Sequence, residues 1–274
     1  MAGTISAKEF DGKEALEITR RVVAFGPRPP ASPAIHKLQA YLLAQLKSRH
    51  CEVQQDDFTA VTPNGPVAMK NIIARFPGTS GRAIVLTGHY DTKLLPNFVG
   101  ADDGGSSTGF LLEMASVIDG QSHADDIYLV WFDGEEAFRE WTDTDSVYGS
   151  RHLAEKWSKE NFLGRIKALV NIDMIGDKNL DLLNDTNSSQ SLRQLIWDAA
   201  YRTGYSKYFQ HDPSPTEDDH IPFVRLGVNA VDVIDLDYEP WHTPQDTMDK
   251  LSAHSFQVVG DVVTAALKDI EKLR

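Results

Sequence analysis

The sequence predicts an α/β fold in which a twisted mixed sheet is flanked by helices. Three observations lead there. Short continuous apolar runs, AIVLTGH, DIYLVWFD, ALVNID and AVDVI, have the pattern of strands buried on both faces. Segments of helical spacing alternate with them. Each run also ends in, or leads directly to, a titratable residue: His89, Asp133, Asp173 and Asp235. Ligands of open α/β sheets bind beyond the carboxyl ends of the strands, so these four residues are expected near one edge.

Taken in order, the first helix covers Ala15 to Phe25 and stops at GPRPP, where Gly26 and the prolines prevent continuation. Ser32 has the character of an N-cap, and Leu38, Tyr41, Leu42 and Leu46 make one apolar stripe behind it. Glu52 to Thr59 and Asn71 to Phe76 read as strands on either side of TPNGP, whose Asn64-Gly65 suits a hairpin. Further helices are expected over Gly105 to Ile118, Tyr148 to Trp157, Ser189 to Thr203 and Ser252 to Leu273. With no repeat, low-complexity tract or linker, residues 1–274 are expected to form one domain.

Composition excludes some functions. A net charge of -13 with no run of Lys and Arg argues against nucleic acid and anionic lipid as partners. No stretch approaches the roughly 18 apolar residues of a membrane span, and the start MAGTISAKEF lacks an export pattern, so a soluble chain is expected. Its compartment, cytoplasmic or secreted/periplasmic, stays open, as does its oligomeric state. Cys51 is the only cysteine, which leaves His, Asp and Glu as the ligands of any metal.

Five segments place acids or imidazoles after apolar runs or in glycine-rich turns: GHYDT, GADDGGSS, FDGEEAF, NIDMIGD and PWHT. Each alone has an ordinary explanation. His89 can be hydrogen-bonded locally, Asp102-Asp103 can cap the next helix, Glu135-Glu136 can open a solvated helix, and Asp173 can cap a turn. Together they supply the imidazoles and carboxylates that zinc accepts without cysteine. At a strand-to-loop turn adjacent glutamates diverge, so one can bind metal while the other faces the reacting group. Several buried carboxylates without a cation would be costly.

These residues resemble the M28 family of zinc aminopeptidases, from Lys13 to the end, and most closely its glutaminyl cyclase branch. FDGEEAF followed by Trp141, DSVYGSRHLA, EDDHIPF over Glu217 to Phe223, and Trp241 directly before His242 carry the branch resemblance. It implies an aminopeptidase-like (phosphorylase/hydrolase-like) fold, and one zinc ion on Asp103, Glu136 and His242. His89 and Asp173 are implied as a second metal site or as hydrogen-bond partners around the first, so two ions also fit. Asp91 would orient His89.

The reaction implied is the conversion of N-terminal glutamine of peptides or proteins to pyroglutamate with release of ammonia. Glu135 would shuttle the proton, Asp218 would bind the γ-amide nitrogen, Asp173 would hold the acidic network, and Trp141 and Trp241 would wall the pocket. The rival is a two-zinc aminopeptidase in which Asp103 bridges the ions and Glu135 activates water. His220 is expected to support local structure rather than bind metal. His36, His50, His123, His152, His211 and His254 have no partner pattern that lifts them above surface residues. The chain departs from animal glutaminyl cyclases at Asp232, where they carry histidine, which adds an acid near the site.

Overall fold

The computed structural model describes residues 8–273. Residues 1–7, which make up most of the start read as lacking an export pattern, lie outside the described residues. A six-stranded sheet runs through the molecule in the order β1-β2-β4-β3-β5-β8. The strands are β1 (Glu52–Thr62), β2 (Gly65–Phe76), β3 (Ala83–His89), β4 (Asp126–Phe132), β5 (Ile166–Asp173) and β8 (Ala230–Ile234). β3, β4, β5 and β8 are mutually parallel, whereas β2 is antiparallel to both β1 and β4. The mixed sheet is the expected one. Its four parallel strands all end at one edge, where the loops that follow them also begin.

Alternation along these strands divides two apolar layers. Ile84 and Leu86 of β3, with Val170 and Ile172 of β5, join the larger core under α1 (Gly12–Val23), α2 (Pro33–Leu46), α3 (Gly105–Ile118), α5 (Gln190–Thr203) and α7 (Ala253–Ile270). Val85 and Leu169 face the opposite layer with α4 (Tyr148–Lys159) and α6 (Ile221–Arg225). Every residue of α3 is buried. Ser32 caps α2 as expected, accepting the N–H of Ile35. The first helix starts at Gly12 rather than Ala15 because the Asp11 side chain takes the N–H groups of Lys13 and Glu14. The last ends at Ile270, three residues short of the expected Leu273.

Three elements lie outside the sequence expectation. β6 (Leu182–Asp185) and β7 (Phe209–Ser214) pair in parallel as a separate two-stranded sheet, and α6 is only five residues long. β2 also begins at Gly65, six residues before the expected start. Its added half alternates between partly buried and exposed residues in a ribbon with β1, where no continuous apolar run marks it. No described helix is long and apolar enough to cross a membrane.

Candidate metal centre and active site

His89 closes β3 and Asp173 closes β5, while the DGEE turn follows β4. Asp103 sits just before α3, and His242 arrives on the loop after β8. The backbone is tight at each approach. Gly104 (φ 76°), directly after Asp103, has no room for a Cβ, which would lie 2.4 Å from the Asp91 carbonyl oxygen. Gly134 (φ 72°), directly before the glutamate pair, would meet the sulfur of Met69 at 2.6 Å. His242 itself is left-handed (φ 53°), a conformation that side chains rarely adopt. The glutamates are not the start of a helix, and Asp102-Asp103 do not cap α3, whose N-cap Gly104 has no side-chain cap. Asp102 instead accepts the N–H of Gly176.

One group of donors is open. Nε2 of His242 lies 3.3 Å from Oδ2 of Asp103 and 3.3 Å from Oε1 of Glu136. Both oxygens are buried without a hydrogen-bond partner. Burial alone would lower the His242 pKa, but Asp103 and Glu136 raise it to about 9. Burial likewise opposes ionisation of Asp103, and the two imidazoles overcome it, holding that carboxyl well below its ordinary value. Two buried acids facing one imidazole, with unpartnered oxygens aimed at it, fit a cation as their common partner.

A second group shares Asp103 and is closed. Nε2 of His89 lies 3.1 Å from Oδ1 of Asp173, within hydrogen-bond range, and 3.2 Å from Oδ1 of Asp103. Its Nδ1 faces Asp91 at 3.4 Å, and Asp91 also accepts the N–H groups of Glu135 and Glu136. Asp91 therefore holds the glutamate turn and faces the imidazole. Among the described residues these two groups, His89-Asp103-Asp173 and Asp103-Glu136-His242, are the ones with metal-ligand spacing.

The glutamates do diverge. Glu136 turns to His242, while Oε2 of Glu135 comes to 4.0 Å from Nδ1 of His89. Burial raises the Glu135 pKa well above the ordinary carboxylate value; His89 opposes this, and Glu136, Asp218 and Asp219 add to it. Asp173 is raised to about 7, mostly by burial, which His89 opposes. Asp218 is buried with Oδ2 unpartnered, and it lines a small cleft with Trp141. Trp241 stacks on the His242 ring at 4.2 Å, and both tryptophans are exposed. Asp232 lies deeper, hydrogen-bonded to Asn171, where burial first, and then Asp218, Asp173 and Asp185, raise its pKa.

Of the four strand-end residues, His89 and Asp173 reach the centre. Asp133 accepts the N–H of Lys70 and Asp235 those of Asp181 and Asp237, so both serve the backbone. Three contributors escaped the sequence reading. Lys93 contacts Glu136 at 3.0 Å, Asp246 accepts the N–H groups of Asp102 and Asp103, and fully buried Arg28 donates to the carbonyls of Tyr90, Val99 and Gly100. Lys93 alone carried a local signal, two residues after Asp91 in HYDTK.

Peptidase family M28 matches residues 71–267. The chain is 32% identical to the glutaminyl-peptide cyclotransferase of Drosophila melanogaster over 76% of its length and 67% of that protein. It spans about two thirds of the length of the curated animal relatives it matches. The crystal structure of an Acidobacteriales bacterium glutaminyl cyclase superposes with a TM-score of 0.93 at 40% identity, covering 99% of this chain and 98% of that one. A Bacteroides thetaiotaomicron structure described as a leucine aminopeptidase precursor superposes with a TM-score of 0.87 at 25% identity, covering 99% and 100%. The chain belongs to peptidase family M28, in its glutaminyl cyclase branch.

Proposed function

We propose that the chain is a zinc-dependent glutaminyl-peptide cyclotransferase, which converts N-terminal glutamine of peptides and proteins to pyroglutamate and releases ammonia. The observation that carries the one-metal form is the contrast between the two donor groups. Asp103 Oδ2 and Glu136 Oε1 have no hydrogen-bond partner, whereas His89 already bonds Asp173. Donors about 2.0–2.1 Å from a tetrahedral zinc lie about 3.4 Å apart, close to the 3.3 Å that separates His242 from each carboxylate. Asp103, Glu136 and His242 would hold the ion.

Zinc bound there would supply Lewis-acid polarisation of the substrate γ-carbonyl. Glu135 takes a proton from the α-amine as its nitrogen bonds to the carbonyl carbon of the side-chain amide. It returns that proton to the amide nitrogen as the carbon–nitrogen bond breaks, so ammonia departs. A buried carboxyl with raised proton affinity suits both halves of this transfer. Asp218, with a free oxygen beside Trp141, binds the amide nitrogen. Asp173 fixes His89 and the acidic network. Trp141 and Trp241 confine the folded glutamine side chain, a proximity effect.

The sharing of Asp103 between two donor groups favours one second reading, a two-zinc aminopeptidase. Metal analysis combined with two substrates separates them. One zinc per chain, with ammonia released from an N-terminal glutaminyl peptide, supports cyclisation. Two zinc ions with hydrolysis of a leucyl anilide would overturn it.

A further inference from the structure

Behind Asp218 lies a second buried polar group with no part in the proton transfer. Asp185 ends β6, and its two oxygens face both ends of the turn over residues 216–220, one through a hydrogen bond and one as the acid beside an imidazole. Oδ1 accepts the N–H of Thr216 at 2.8 Å, and Oδ2 lies 3.2 Å from Nε2 of His220. The same carboxylate accepts the N–H of Asn187 at 3.0 Å and the hydroxyl of Ser188 at 2.5 Å. His220 is fully buried, and its other ring nitrogen faces Oδ2 of Asp232 at 3.7 Å. An imidazole sealed between two acids costs more to bury than an apolar side chain of the same size, so packing alone does not account for it. Nor do the three form a further metal cluster, since Asp185, His220 and Asp232 do not converge as ligands.

Between the two held ends sit Asp218 and Asp219. Asp219 spends Oδ1 on the Ser150 hydroxyl at 2.5 Å, and Oδ1 of Asp218 accepts the N–H of Asp219. Oδ2 of Asp218 is left buried and unpartnered at the middle of a turn fastened from outside the central sheet. The fastening reaches across the chain: β6 is joined to this turn through β7, which pairs Asp185 with Ser214. The parallel β6–β7 sheet therefore has a use that its small size does not suggest.

We infer that Asp185 and His220 are positioning residues for Asp218, holding its free oxygen where the departing amide nitrogen is bound. Neither touches the substrate. The inference rests on the reading of Asp218 given above. If either hold is lost, a five-residue turn can shift by an ångström, and a displacement of that size costs up to about 100-fold in rate.

A double-mutant cycle on the metal-loaded protein tests it, with ammonia release from an N-terminal glutaminyl peptide as the assay and metal content measured alongside. His220→Asn should lower kcat by about 10- to 100-fold while KM and metal content hold. In an Asp218→Asn background the same change should cost less than about twofold, because the residue it positions is already gone. Equal losses in the two backgrounds would overturn the inference and leave the role of Asp218 standing. Full-speed turnover by Asp218→Asn would overturn both. Should His220→Asn fail to fold, Asp185→Asn runs through the same cycle, since it keeps an oxygen for the Thr216 N–H.

Discussion

Nζ of Lys93 lies 3.0 Å from Oε2 of Glu136, the oxygen other than the one that meets His242. The lysine thus occupies half of the carboxylate and leaves a single oxygen for a metal. Lys93→Met should weaken zinc binding by roughly 10- to 100-fold, as loss of a partner behind a ligand does. Competition with a chelator of known affinity measures it, and unchanged affinity would show the contact to be incidental.

The two glutamates should fail in different ways. Glu135→Gln should keep its zinc and lose about 100- to 10,000-fold in kcat, the range for removing a general base. Glu136→Gln should instead lose metal, because it removes a charged ligand. Metal content after gel filtration separates the two, and equal loss from both variants would contradict the division of roles.

Arg28 is fully buried, and its guanidinium ties the carbonyls of Tyr90, Val99 and Gly100, joining the end of β3 to the loop that carries Asp103. Arg28→Met should leave these acceptors without a donor and destabilise the fold by roughly 3–5 kcal/mol. Urea unfolding measures it. A loss below 1 kcal/mol would mean that water replaces the guanidinium.

Asp185 predicts a pH dependence. Burial opposes its ionisation, but the His220 ring, the Ser188 hydroxyl and two backbone N–H groups lower its pKa to about 2, against an unfolded value of about 3.9. The folded state therefore favours the ionised form. The stability this contributes is present above pH 4 and disappears as the pH falls towards 2. The gap in unfolding free energy between the wild-type chain and Asp185→Asn should close over that interval, and a gap constant with pH would contradict the assignment.

How much of this was legible in the sequence depends on how local each signal is. β3 and β8 matched their apolar runs residue for residue, since burial on both faces leaves an unbroken pattern. β7, FQHDPS, is mostly exposed and carries a proline, and is a strand only through pairing with a segment far back in the chain. His89, Asp103, Glu136 and Asp173 stood out because each ends a strand or stands in a glycine turn, whereas His242 was marked by the tryptophan before it. Arg28 sits in a stretch that reads only as a helix stop, and the carbonyls it binds are 62 to 72 residues away. Isolated cations leave no periodicity, so their roles emerge only when the fold has brought their partners to them.

The left-handed backbone at His242 sets what can replace the imidazole. An alanine there would keep the unfavourable φ of 53° without the imidazole, whereas a glycine would accept it. His242→Gly should therefore be more stable than His242→Ala by about 1 kcal/mol, although both lose the metal. A heat-resistance screen at this position would therefore favour glycine over alanine.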